Sequence, residues 1–69
     1  MKITTLQELQ EKLDDLKTIV HDNEEAHRDE RAIHTAVLRS IAERSCDNAE
    51  KLAALALTSE QIEFNRWYA

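Results

Sequence analysis

The chain of 69 residues contains no glycine and no proline. Tight hairpin turns rely on glycine for positive φ, and phosphate-cradling loops need it for close backbone approach. Both devices are therefore excluded, and sheet is disfavoured with them. Helix boundaries have to come from capping side chains and polar runs instead. Cysteine is reduced to Cys46, so no disulfide can form within the chain, and a reducing, cytoplasmic setting is expected. Its neighbour is the carboxylate of Asp47, the wrong charge to favour a thiolate nucleophile. Long apolar runs are missing too. The longest, Leu52–Leu57, is far short of the roughly 20 residues a bilayer span takes. Met1–Leu6 holds one lysine and no apolar stretch, so no secretory leader is expected at that end.

Positive charge is in the minority, and the formal net charge is −5. That balance disfavours nucleic acid as a partner, because phosphate backbones attract basic surfaces. An acidic surface instead suits a basic patch on another protein.

What the chain does have is a leucine seam. Leu6, Leu9, Leu13, Leu16 and Val20 recur at spacings of three and four, with polar residues filling the other positions. A helix with that pattern buries one narrow stripe against another helix. The stripe is thus the first candidate interface, either within the chain or between copies. Lys12 and Lys17 would meet as like charges in a parallel self-pairing, which favours antiparallel packing. Thr5 with Glu8 forms a capping box, with Thr4 and Gln7 as a second candidate, so a helix is expected over about 4–21.

Residues 21–31 are almost wholly polar. The helix either runs through them or turns and restarts on Asp22 or Asn23, Asp22 forming a further box with Glu25; a turn or kink within 21–27 is the favoured reading. Ile33, Val37 and Ile41, widened by Ala36, Leu38 and Ala42, then predict a helix over about 24–45. Asp47 with Glu50 predicts another over about 47–57, carrying Leu52, Leu55 and Ala56. Thr58 or Ser59 would cap a short last helix over about 59–68. The fold expected is all-α, a helical hairpin or three short helices with coiled-coil-like packing. A chain this short hides only roughly 60% of its unfolded surface, so oligomerisation, most simply a dimer, is expected to complete the core.

Chemistry-bearing patterns are sparse. Glu24 and His27 form an E-x-x-H pair, and Glu30 with His34 lies on nearly the same face. Metal sites in helical bundles need two such pairs, so this one would require a symmetric copy. No metal, cofactor or catalytic residue is assigned, and an enzymatic role is not expected. Arg28, Arg31 and Arg39 share a helical face that could grip an anion. Glu24, Glu30 and Glu43 are near enough in sequence to pair with them, which points to a solvated face. Phe64, Arg66, Trp67 and Tyr68 form the second candidate interface, since Trp, Tyr and Arg are enriched at binding hot spots. They would serve either as a lid on the chain's own core or dimer contact, or as a surface for a foreign partner.

The size and glycine-free helical plan are similar, in architecture alone, to small helical-hairpin regulators of plasmid or phage type. The expectation is a non-enzymatic protein that binds itself and another macromolecule, as a regulator or inhibitor of a cytoplasmic protein. A structural coiled-coil adaptor, or a small-ligand or metal site at a symmetric helical interface, are the alternatives.

Overall fold

The computed structural model describes residues 1–66. It has three α-helices, α1 (Leu6–Thr18), α2 (Asn23–Ala42) and α3 (Ala49–Leu57), followed by a 3₁₀ turn over Thr58–Gln61. There is no strand among the described residues. α3 packs against both α1 and α2, and α1 touches α2. Among the described residues, no helix is long and apolar enough to cross a membrane.

Each boundary has a local cause. Thr5 Oγ1 accepts from the Glu8 amide at 3.1 Å, and the Glu8 carboxylate accepts from the Thr5 amide at 3.1 Å, a complete capping box. Thr4 adds its amide and hydroxyl to the same carboxylate, and these bonds hold Glu8 below the usual 4.5. The two threonines stand outside the helix as its cap, so α1 starts at Leu6 rather than residue 4. A turn does separate α1 from α2, but at residues 19–22 rather than across 21–27, with α2 helical from Asn23; the Asp22 amide donates to the Ile19 carbonyl there. Asp22 then caps α2 by accepting from the Glu25 amide at 3.1 Å. Asn48, not Asp47, caps α3, accepting from the Lys51 amide; the Asp47 amide is used to tie the loop to the Thr4 carbonyl.

α2 ends three residues before the expected boundary, in a Schellman motif. The Arg44 amide donates to Ile41 and the Ser45 amide to Ser40, satisfying two terminal carbonyls. That geometry needs a left-handed residue, and in a glycine-free chain Arg44 takes it at φ 56°. A side chain with a Cβ costs about 1–2 kcal/mol there. Arg44→Gly is therefore expected to raise the melting temperature, by up to about 4–8 °C for the first kcal/mol in a domain this size. Thermal denaturation followed by circular dichroism checks it.

The short helix expected over 59–68 does not form within the described residues. The chain turns in 3₁₀ geometry to Gln61 and Ile62 is extended. Thr58 and Ser59 do not cap it: the Thr58 hydroxyl donates back to the Leu55 carbonyl at 2.6 Å, and Ser59 is drawn into the interior. The core is built from Ile3, Leu9, Leu13, Leu16, Ala26, Ile33, Ala36, Val37, Leu52 and Ala56, with Ile19, Ile41, Cys46, Leu55, Ile62 and Phe64 packed around it. Ile3 is fully buried ahead of α1, and its carbonyl accepts from the Ser40 hydroxyl, pinning the N-terminal segment to α2.

Candidate functional site

The buried side of α2 carries a carboxylate. Glu30 sits at a position where an apolar stripe would want leucine, and only 7% of it is exposed. A lone buried charge is expensive, so partners must converge on it. Arg66 does so from the C-terminal segment: its Nε donates to Glu30 Oε1 at 2.9 Å and its Nη2 to Oε2 at 3.1 Å, a two-pronged ion pair. The same Nη2 donates to the carbonyls of Ser59 (2.6 Å) and Ile62 (2.8 Å). The guanidinium also lies 3.9 Å from the centre of the Phe64 ring, within cation–π range. Ser59 donates its hydroxyl to Glu30 Oε2 at 2.7 Å. His34 Nε2 lies 2.8 Å from Ser59 Oγ and 3.2 Å from the Ala56 carbonyl. A carbonyl only accepts, so Nε2 carries the proton and donates to both. Burial pushes the Glu30 carboxyl up, but the Arg66 and Ser59 hydrogen bonds and the charges of Arg66 and His34 outweigh it. The group is held below its usual 4.5.

Serine, histidine and glutamate together invite comparison with a nucleophilic triad, and the wiring is wrong for one. In a triad the acid orients the histidine and the histidine takes the serine's proton. Here the carboxylate accepts directly from the serine, and the histidine donates to it. Ser59 is also completely buried, so no substrate can reach it. The cluster is a fastening: it fixes the C-terminal segment and the end of α3 onto α2.

The leucine seam is satisfied within the chain. Leu9, Leu13 and Leu16 are buried and inaccessible to a partner while the fold is intact. Leu6 is 40% exposed and Val20 half-buried at the two ends of the stripe. Phe64 is half-buried against the core and Arg66 is paired with Glu30. Trp67 and Tyr68 lie outside the described residues. Among the described residues no group of three or more His, Cys, Asp or Glu side chains is gathered for a metal.

The free apolar surface lies elsewhere. Leu38 and Ala42, expected to widen the buried stripe of α2, face outward. Leu38 is 66% exposed and Leu57 61% exposed. Both border one groove of about 220 Å³ between α2 and α3, with Val37, Ile41, Ala53 and Ala56 along it and His34 at one end. The expected pairing of the α2 arginines is not formed either. Glu30 is taken by Arg66, and among the described residues Arg28, Arg31 and Arg39 have no carboxylate within salt-bridge distance.

No protein family, curated protein or solved structure matches the chain.

Proposed function

We propose that this is a non-enzymatic helical binding protein that self-associates, most simply as a dimer, and regulates or inhibits another cytoplasmic protein by docking on it. The observation that carries the reading is the groove between α2 and α3. Two large leucines stand exposed over one apolar channel, on a chain whose other large side chains are mostly drawn inside. Scattered exposed leucines carry no message, but neighbouring ones that share a groove mark a contact surface. Each would contribute about 1.5–3 kcal/mol on full burial, enough to anchor a partner that offers an apolar helix edge. The buried polar cluster supports the non-enzymatic half of the reading, since its hydroxyl and carboxylate are spent on internal bonds.

Leu38→Glu tests it. The side chain is exposed, so helicity and melting are expected to stay close to those of the parent chain. Capture of a partner from the source cell, or self-association measured by sedimentation, is expected to fall at least about ten-fold, which corresponds to losing one well-buried leucine. A variant that still captures the same partner and keeps the same mass in solution would show that the groove is not the contact surface.

A further inference from the structure

The opposite flank of α2 from the groove carries a second unpartnered surface. Arg28, Arg31 and Arg39 line a cleft of about 450 Å³ together with Met1, Ala32, Thr35 and Ala36. The three arginines are exposed. Between Arg31 and Arg39 α2 holds no acidic residue, so the cationic stripe runs about 12 Å without interruption, with Arg28 one turn before it beyond Asp29 and Glu30. On a chain of net charge −5, such a stripe is a local inversion of the field and favours one kind of occupant, an anionic one.

The matching surface is on the same molecule. Glu8, Glu11 and Asp15 are spaced three and four apart and are all exposed, on the side of α1 turned away from Leu9, Leu13 and Leu16. They make an acidic stripe about 10 Å long. Lys12 and Lys17 stand to its sides, and Lys17 is occupied by Asp14 at 3.6 Å. The stripe is short enough to lie within the arginine cleft. Between the arginines the α2 residues lining the cleft are small (Ala32, Thr35 and Ala36), so a partner helix can approach to the 8–10 Å typical of packed helices.

We infer that two copies of this chain meet by laying α1 of each in the arginine cleft of the other. This rests on the self-association proposed above and names the surfaces that carry it. A two-fold axis makes the contact twice, once in each direction, and closes the assembly at a dimer. Nucleic acid is the lesser fit, because the chain's net charge repels an extended polyanion while a short acidic stripe needs only the local cleft. Exposed ion pairs are individually weak, so the dimer is weak and steeply salt-dependent.

Charge reversal with the full chain tests the inference. One variant carries Arg28→Glu and Arg39→Glu, the other Glu11→Lys and Asp15→Lys; Glu8 is left intact because it completes the α1 cap. All four sites are exposed, and circular dichroism checks that both variants remain folded. If either does not, Arg→Gln and Glu→Gln with Asp→Asn at the same positions replace them. Sedimentation of the parent chain is expected to show a dimer whose dissociation constant rises about ten-fold or more between about 0.05 M and 0.5 M salt. Each variant alone is expected to be monomeric over the range where the parent pairs. An equimolar mixture of the two charge-reversed variants is expected to recover the dimer, since both contacts are then again between opposite charges; a mixture of the neutral replacements restores one contact of the two and is expected to pair more tightly than either alone. Dimers that persist in both variants, or a mixture that stays monomeric, overturn the inference and leave the self-association reading to the α2–α3 groove. A parent chain that is monomeric throughout the salt series overturns both. Tighter binding of a short oligonucleotide than of a second copy, lost in the arginine variant, reassigns the cleft to nucleic acid and overturns the inference.

Discussion

Leu13→Asp is expected to unfold the chain at room temperature. Leu13 lies at the middle of α1, 2% exposed, between Leu9 and Leu16, which are buried as deeply. Removing a leucine from a packed core costs about 2–5 kcal/mol through lost burial and the cavity left behind. Aspartate adds the desolvation of a charge placed among apolar side chains. A chain of this length has on the order of 3–10 kcal/mol of stability in total. The far-ultraviolet helical signal should collapse, and the melting transition should vanish rather than shift. Leu6→Asp is the matched control. Leu6 occupies the same seam in the sequence but is 40% exposed, so it should leave most of the helix signal in place. Equal damage from the two substitutions would show that the heptad pattern, and not the burial seen here, governs stability.

The contrast between Leu6 and Leu13 shows where the sequence stops being informative. Periodicity reads the direction of a side chain around one helix, and it correctly marked Leu9, Leu13, Leu16, Ile33, Val37 and Leu52 as inward. It does not read how far the covering helices extend. α3 spans only Ala49–Leu57, and Leu38, which the pattern enlists, stays in solvent across the groove from Leu57. Caps were legible because they are local: Thr5 with Glu8 and Asp22 with Glu25 act within one turn. The Schellman end of α2 was not, because its usual marker, glycine, is replaced by Arg44. The candidate site was the least legible part. Glu30 stood out as a carboxylate in a leucine position, but its partners Ser59 and Arg66 lie 29 and 36 residues away. No spacing rule connects residues that the tertiary fold alone brings together. The same bond explains why no helix follows Gln61 among the described residues, since Arg66 reaches Glu30, Ser59 and Ile62 from a segment bent back on α2 rather than continuing along α3.

Arg66→Ala is expected to be the most damaging substitution outside the apolar core. It strips Glu30 of both guanidinium bonds and leaves a carboxylate almost out of water with one serine hydroxyl and the nearby His34. Breaking a buried pair by removing one member costs about 3–5 kcal/mol. Arg66 keeps about a third of its side chain in solvent, 31% against 10% for Glu30, and screening reduces the figure to about 2 kcal/mol. Glu30→Gln in the same background should recover part of the loss, because a neutral amide tolerates the site better than an unpaired charge. A double variant no more stable than Arg66→Ala alone would show that Arg66 acts through its carbonyl bonds to Ser59 and Ile62 and not through the charge. Acid gives an independent readout. Glu30 is held below its usual 4.5 in the folded chain, so the folded state binds the proton less readily than the unfolded one. Its contribution is fully present above the ordinary carboxylate range and is lost as pH falls through the lowered folded value. Melting temperatures taken from pH 6 down to about pH 3 should therefore fall more for the parent chain than for Glu30→Gln. Parallel pH profiles would mean that the Glu30–Arg66 pair does not hold the C-terminal segment in place.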